Sequence, residues 1–305
     1  MFFPWNNLPH ELQLLVSESL ERKELLNLGL TSRHHLALLD RKLRGWQFLN
    51  RLYSRSHQAA RRLLLHPSGI DWNFRLGTTT VLYHAACAGS EATVEALLRI
   101  PYLREKINHQ DSKGKTPLRL ASKWGSRGIV ACLVRRGADV NLACRRGHSP
   151  LHYASLRGEE ETVYLLLEAQ AEVSRCTETG VNALWLAVLR NHTNIAKQLL
   201  LHGADCNSHS TSGSTLSWAV RHGNVPITVD LIARGADFEQ RDARGWTPLM
   251  DAVYESNMAL VQCLVSAGAS LECESNRGDT VFILALAANN PGIYFFLRNS
   301  ALSGR

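Results

Sequence analysis

One six-residue pattern returns at fixed intervals along the chain. It reads TPLRLA at 116–121, SPLHYA at 149–154 and TPLMDA at 247–252. A glycine stands shortly before each full or degenerate copy, at spacings of 33 or 32 residues: Gly114, Gly147, Gly180, Gly213, Gly245 and Gly278. A unit this short cannot enclose a hydrophobic core of its own, so each copy must stack on its neighbours. We therefore expect an elongated array with a binding surface, and we do not expect a catalytic pocket.

Each unit holds the residues of two helices. Thr or Ser before the proline caps a first helix, and proline suits the first helical position because its missing N–H had no partner there. The motif alanine is small enough to let adjacent helices approach closely. It occurs at Ala85, Ala121, Ala154, Ala187, Ala219, Ala252 and Ala285. A second apolar helix follows, as at 129–134 and 163–167, and a glycine such as the one at 137 provides its left-handed end.

These residues and this period resemble the ankyrin repeat, which is built of a helix, a turn, an antiparallel helix and a projecting β-hairpin. The resemblance implies an all-α ankyrin-repeat solenoid with seven units over residues 76–298, the first and last degenerate. It also places a capping half-repeat at 47–75 and a tail at 299–305. Two departures predict locally lower stability: Gln170 replaces the stop glycine, and the motif that begins at Asn182 lacks the proline.

Residues 5–46 have a different character, with three short leucine-rich helices predicted between polar joints. The string LPHEL at 8–12, followed by LGLTSR at 28–33, resembles the F-box motif. That resemblance implies a three-helix bundle that docks on the Skp-type adaptor of SCF cullin–RING ubiquitin ligases. Carried over by position, the adaptor-binding residues are Leu8, Pro9, Leu12, Val16, Leu20, Leu25 and Leu28. The alternative is a helical cap whose leucines pack only within the chain.

Charge and cysteine content restrict the class of protein. The chain has 34 Lys and Arg against 27 Asp and Glu, and the net charge of +7 is spread over a mildly basic head and a nearly balanced body, which argues against a nucleic-acid partner.

The seven cysteines are scattered and never spaced C-x-x-C, so reduced thiols in a cytoplasmic or nuclear protein are expected. The first residues do not read as a signal peptide, and no apolar run approaches the roughly 18–20 residues that span a bilayer.

No sequence motif indicates catalysis. The phosphate-binding patterns G-x-G-x-x-G and G-x-x-x-x-G-K-[ST] are absent, as are H-E-x-x-H and G-x-S-x-G. Recurrent histidines such as His152 are expected to form hydrogen bonds between neighbouring hairpins. Since nothing pairs a nucleophile with a base, we expect no catalytic residue, no cofactor and no metal ion.

The ankyrin resemblance implies that a target protein binds the concave face and the hairpin tips. Aromatic side chains beside arginine are the usual material of interface hot spots. The predicted partner-binding residues are Lys113, Lys115, Lys123, Trp124, Arg145, Arg146, Tyr153, Arg157, Arg190, Trp218, Arg221, His222, Arg244, Trp246 and Tyr254. The position before each motif alanine is also expected to be exposed; it holds Leu120, Tyr153, Leu186, Trp218 and Asp251. The basic side chains suggest an acidic partner segment, although any one of them is also compatible with ordinary solvated surface.

The sequence thus predicts a non-catalytic adaptor: the head would bind the ligase adaptor, and the array would capture a protein for ubiquitination. Two alternatives stay open, a plain ankyrin scaffold with a helical cap and a nucleic-acid binder that uses the basic segment 33–62.

The last unit is unusually apolar around 280–285 and 294–297. Terminal repeats normally present a polar outer face, so this end is expected either to fray or to meet a partner or a second copy.

Overall fold

The computed structural model describes residues 80–303, and of Ser303 only the backbone. All of them belong to one unit that spans Arg75–Arg305. The predicted F-box-like head at 5–46 and the half-repeat at 47–75 lie outside the described residues, together with all seven predicted adaptor-binding side chains.

The described residues form seven consecutive helix pairs. Each pair consists of a first helix, which carries the motif, and a second helix that runs on the other side of a short loop. In chain order they are α1 (Val81–Ala88) with α2 (Glu91–Leu97), the additional short helix α3 (Pro101–Glu105), α4 (Pro117–Lys123) with α5 (Arg127–Arg135), α6 (Pro150–Arg157) with α7 (Glu160–Glu168), α8 (Ala183–Leu189) with α9 (Thr193–Leu201), α10 (Thr215–Arg221) with α11 (Val225–Ala233), α12 (Pro248–Tyr254) with α13 (Met258–Ser266), and α14 (Val281–Ala287) with α15 (Pro291–Ser303). The last helix continues past 298, where the sequence placed the end of the array.

The predicted caps begin the first helices. The Thr116 hydroxyl accepts a hydrogen bond from the backbone N–H of Arg119, and Thr247 does the same for Met250. Asn182 caps α8 through its side-chain oxygen, so this helix has a capped start although its motif lacks the proline. A side-chain oxygen three residues before the bonded N–H satisfies one of the donors that every helix start leaves unpaired. The sequence prediction of capped first helices is confirmed.

The core of the array lies between neighbouring pairs. All seven motif alanines have zero solvent exposure, and the first helices pack on the first helices of adjacent pairs. The second helices likewise pack on second helices. Since each pair buries its apolar side chains against the next, the pairs stabilise one another in single file, as the period predicted.

Glycine turns join the pairs, and the hairpin predicted in every unit is reduced in most of them. Gly114 and Gly147 have φ angles of 74° and 79°, in the left-handed region, and an added Cβ at Gly147 would lie 2.9 Å from the neighbouring turn. Only β1 (His209–Ser210) and β2 (Gly213–Ser214) form a two-stranded ladder among the described residues. In other turns two backbone bonds close the loop, as from the Cys144 N–H to the His148 carbonyl at 3.0 Å and from the Gly147 N–H to the Cys144 carbonyl at 2.8 Å. The arms are too short there for a ladder.

Gln170 takes the left-handed conformation that glycine provides at the ends of other second helices. Its φ is 62°, whereas Gly203 and Gly235 have φ angles of 79° and 81°. A side chain in this region costs about 1 kcal/mol. The backbone therefore keeps the same turn in this unit at an energetic penalty, which agrees with the predicted local weakness.

The last pair leaves large apolar side chains in contact with solvent. Ile283 and Leu286 on α14 are 49% and 63% exposed, and Phe295 and Leu302 on α15 are 56% and 64% exposed. In the preceding pairs the equivalent faces are covered by the next pair. The apolar end that the sequence indicated is therefore present, beside the exposed polar residues Arg298 and Asn299 of α15.

Candidate interaction surface

Three neighbouring first helices bring cations together around an exposed tryptophan at their C-terminal ends. Lys123 ends α4 and Trp124 follows it, Arg157 ends α6, and Arg190 follows α8. Together with one leucine and one glutamate they line a cavity of about 350 Å³. We call Lys123, Trp124, Arg157 and Arg190 the basic cluster.

The tryptophan of the basic cluster lies close to two cations. Trp124 is 54% exposed. The Lys123 Nζ lies 5.0 Å from the centre of its ring, and the Arg157 guanidinium carbon lies 5.8 Å from it. Arg157 Nε also donates a hydrogen bond of 3.4 Å to the Lys123 carbonyl. Cations are favourable at helix C-termini and over aromatic faces, so the cluster is held together without a carboxylate.

The cations of the basic cluster form no ion pair with any residue of the described part of the chain. The glutamate of the cavity, Glu159, packs its carboxyl group where a Cβ on Gly125 would stand, at 2.1 Å from that position. Arg157 and Arg190 are both exposed. Their positive charge is therefore presented to solvent without an opposite charge in contact.

Arg119 adds a buried cation one helical turn before Lys123 on the same face of α4. It is 5% exposed. Its guanidinium carbon lies 4.1 Å from the centre of the Tyr153 ring, its Nη2 donates to the Tyr153 hydroxyl, and its Nε has no hydrogen-bond partner among the described residues. Burial, followed by the charge of Arg119, lowers the pKa of the nearby His148. The equivalent motif positions in the other six pairs hold residues that are not permanently charged: Tyr83, His152, Trp185, Ser217, Met250 and Ile283.

Further along the array, two predicted partner-binding arginines belong to a buried ion-pair network. Arg221 contacts Asp242 at 2.8 Å and Asp251 at 3.0 Å, and Arg244 contacts the same carboxylates at 2.9 Å and 3.2 Å. The two aspartate side chains are 5% and 3% exposed. Asp242 also accepts hydrogen bonds from the backbone N–H groups of Arg244 and Trp246. This network links α10, the following turn and α12.

The pKa values of the two carboxylates of the network are shifted in opposite directions. Burial opposes ionisation of Asp242, but the hydrogen bonds from Trp246 and from the side chain and backbone of Arg244 outweigh it, so its pKa lies below the ordinary value. For Asp251 burial dominates, and its pKa is raised despite the bond from Arg221. Asp242 is therefore the anion that anchors the network.

Trp246 does not lie at an exposed hairpin tip as predicted. It is 9% exposed, because Arg244 stacks 4.0 Å from the centre of its ring and the Tyr254 ring packs edge-on at 5.2 Å. Tyr254 itself is 58% exposed.

Trp218 and His222 lie beside a buried tryptophan. Trp185 is 6% exposed and donates through Nε1 to the Gly213 carbonyl at 3.1 Å. Trp218 packs edge-on against it at 6.4 Å between ring centres, and the His222 ring lies 5.9 Å from the Trp218 ring. Trp218 is thus half-buried, and His222 remains exposed.

The position before the motif alanine is not an exposed row. Leu120 and Leu186 are each 6% exposed and Asp251 is 2% exposed; Tyr153 and Trp218 are half-buried. The prediction is wrong for the first three because stacking of adjacent first helices covers this position. By contrast, the cations at the turn tips are in contact with solvent: Lys113, Arg145 and Arg146 are exposed, and Lys115 is half-buried.

His152 stabilises the start of its own helix. Its Nδ1 accepts a hydrogen bond from the Ser149 backbone N–H at 3.2 Å and lies 2.8 Å from the Ser149 hydroxyl. The two residues form a capping box at the start of α6. These two contacts lie within its own unit. Burial lowers its pKa to about 4, against the opposing effect of backbone hydrogen bonds with Val181 and Arg175 in the next turn.

A second, larger cavity of about 450 Å³ lies on the second helices α5, α7 and α9. Its charges are mixed: Arg127, Glu160, Glu161 and Lys197 all line it. Arg127 is paired with Glu161 at 3.0 Å, with both side chains more than half exposed. Because its charges compensate one another, this cavity has less potential to attract a charged partner than the basic cluster.

No group of three or more metal-ligating side chains comes together in 80–303, and none of the described helices is long and apolar enough to cross a membrane.

Sequence reasoning missed Arg119 and Asp242. The first replaces the histidine of the TPLH-like motif, which in itself marks an unusual charge at a packed position. Asp242 gave no signal, because its partner on α10 lies 21 residues away in sequence.

Comparison with known proteins identifies the family. A family model described as ankyrin repeats matches residues 52–144, 127–210 and 216–302. "Ankyrin repeat and SAM domain-containing protein 6" of Mus musculus is 34% identical over 23% of this chain and 8% of that protein. "Ankyrin repeat and SOCS box protein 3" of Homo sapiens is 32% identical over 21% of this chain and 12% of that protein. The chain therefore matches only a small part of these relatives' length.

The solved structures that resemble the array agree in fold. The ankyrin repeat domain of Bcl-3 superposes with a TM-score of 0.60 at 23% identity, over 72% of this chain and 98% of that domain. The family model covers well over half of the chain, and the helix pairs, capped first helices and turn glycines of the structure are those of its repeat. The chain belongs to the ankyrin-repeat family.

Proposed function

We propose that this chain is a non-catalytic adaptor that captures a target protein on its ankyrin array and binds the Skp-type adaptor of an SCF ubiquitin ligase through its head. Ankyrin repeats imply a protein-interaction role, and they are generally non-catalytic modules. The observation that carries the capture of a target is the basic cluster, where an exposed tryptophan stands beside three cations that have no ion-pair partner in the described residues.

An exposed tryptophan beside arginine and lysine leaves apolar area in contact with water, and burying that area at an interface would be favourable in free energy. Its apolar area would be removed from solvent on binding, at roughly 25 cal/mol per Å². Tryptophan and arginine are also the residues most enriched among interface hot spots. A target protein would therefore gain most of its binding energy at the ends of α4, α6 and α8.

The proposal for the head rests on the LPHEL string and the leucine pattern of residues 8–28. Two relatives support the general arrangement, since their names pair ankyrin repeats with a second module, a SAM domain in one and a SOCS box in the other. Joining two binding modules raises the effective concentration of one ligand near the other. A ligase held at the head would thus act on a protein held by the array.

The triple variant Leu8→Asp/Pro9→Ala/Leu12→Asp is expected to lose binding of a purified Skp-type adaptor by about a hundredfold or more, because charged side chains replace apolar contacts at the docking turn. The measurement is isothermal titration of the full-length chain, wild type and variant, with circular dichroism to confirm that the array still folds. The matched control is Leu302→Asp, an exposed leucine on α15, which should leave adaptor binding unchanged.

Equal binding by wild type and the triple variant would remove the ligase part of the proposal and leave the plain ankyrin scaffold. Affinity purification with mass spectrometry on the same two proteins separates the parts further. The variant should lose the adaptor and keep the target.

A further inference from the structure

The cations on the ankyrin array are distributed unevenly between paired and unpaired positions. Arg99, which follows α2, pairs with Glu95, and Arg127 on α5 pairs with Glu161. At the end of α10, Arg221 pairs with two aspartates. Lys123, Arg157 and Arg190, at the equivalent ends of three consecutive first helices, have no such partner among the described residues. Other cations of the described part, such as Arg135 and Arg234, are also unpaired there, but these three line one cavity around an exposed tryptophan.

Arg119 makes this face more positive than its exposed side chains alone. A guanidinium that is 5% exposed and has no carboxylate in contact among residues 80–303 loses hydration without Coulombic compensation. Its ring contact with Tyr153 and one hydrogen bond offset part of that cost. An anion bound at the neighbouring basic cluster would reduce the remainder, because the low-dielectric surroundings weaken screening.

We propose that the basic cluster binds an acidic, extended peptide segment of the target protein, with carboxylates at Lys123, Arg157 and Arg190 and an apolar side chain on Trp124. This inference rests on the proposed capture of a target by the array. Charge complementarity selects the acidic segment: the cavity is lined by three cations and one anion.

The spacing of the cations sets the spacing of the acids. Adjacent packed helices lie about 8–10 Å apart, and an extended segment in the polyproline II conformation rises about 3.1 Å per residue with three residues per turn, so that every third side chain projects from the same side. Carboxylates three residues apart in an extended segment therefore meet cations on consecutive first helices. Trp124 lies at the α4 end of this line, so the apolar residue belongs at the matching end of the segment.

The test uses the full-length chain and fluorescein-labelled peptides of about ten residues, followed by fluorescence anisotropy. The probe has glutamate at every third position and one terminal leucine. One control peptide has the same composition with its glutamates in a single block, and another has glutamine instead of glutamate. The probe should bind about tenfold more tightly than either control. Its affinity should fall as salt is raised, since the contacts are solvent-accessible.

Matched variants localise the binding. Arg157→Glu/Arg190→Glu should weaken the probe by about a hundredfold, whereas Arg135→Glu/Arg234→Glu, with the same change in net charge at the ends of second helices, should change it less than about twofold. Trp124→Ala should cost about tenfold. Tyr164→Ala, which removes an equally exposed aromatic (54%) from α7, should cost less than twofold.

Three results would overturn the proposal: equal binding of the spaced and blocked peptides, equal losses in both charge-reversal variants, or tighter binding of a single-stranded oligonucleotide that is lost in the same variants. If the peptides fail while the purified chain still captures a target in the mass-spectrometry experiment, the acidic-segment inference fails and the proposed function stands.

Discussion

Lowering the pH from 7 to 5 is expected to destabilise the array by about 4 kcal/mol, with about 2 kcal/mol from each of two buried histidines. Burial lowers the pKa of His84 and of His152 to about 4, from an ordinary value of 6.5. They are 8% and 1% exposed. The unfolded chain takes up protons below about pH 6.5, whereas the folded chain does so only near pH 4. Their contribution is therefore full above pH 6.5 and is lost as the pH falls toward 4.

The measurement is the free energy of urea unfolding at several pH values between 7 and 5. His152→Gln provides the specific control, because glutamine at this position of a capping box still accepts the bond from the Ser149 N–H and does not titrate. The variant should lose about half of the pH dependence. His84→Gln gives a second, independent variant. A slope that neither substitution changes would show that other groups cause the acid sensitivity.

Asp242→Ala is expected to lower the free energy of unfolding by about 3 kcal/mol. The substitution leaves Arg221, whose side chain is 17% exposed, with one carboxylate instead of two, and it removes the acceptor of two backbone N–H groups. Removing one partner of a buried ion pair costs 3–5 kcal/mol, because a desolvated charge is left behind. We take the lower end because Arg244 is 52% exposed and water replaces part of its contact.

Glu161→Ala is the matched comparison for Asp242→Ala. It breaks an ion pair of similar length, 3.0 Å, between side chains that are 62% and 67% exposed. Exposed pairs contribute about 0–1 kcal/mol. Urea unfolding of both variants tests the difference, and equal effects would mean that the network between α10 and α12 is not desolvated in solution.

The repeating parts of the fold were predictable because local rules determine them. A side-chain oxygen before Pro117 caps α4, the glycine of each turn adopts positive φ, and the motif alanines pack at zero exposure. Each of these features depends on residues within one unit or on its contact with the next unit of the same type. The period of 33 residues was therefore sufficient to predict the repeat architecture.

The candidate surface was predictable only in part, because contacts between units decide which side chains stay free. Trp124 and Arg157 remain available to a partner, whereas Trp246 is covered by Arg244 and Arg221 is paired with Asp242. The sequence did not distinguish these cases, since the pairing residues belong to other units. The partner-binding roles of all these side chains stay predictions.

The most direct test of the single-file architecture, on which the proposed capture of a target depends, is deletion of one complete unit. Removing residues 246–278 joins Gly245 to Asp279 with one full period of 33 residues lost and leaves the basic cluster intact. We expect the shortened chain to unfold cooperatively in urea with lower stability and to bind the spaced acidic peptide within about twofold of wild type, because each pair needs only its neighbours. An unfolded product, or a folded product that no longer binds a peptide the wild type binds, would contradict it.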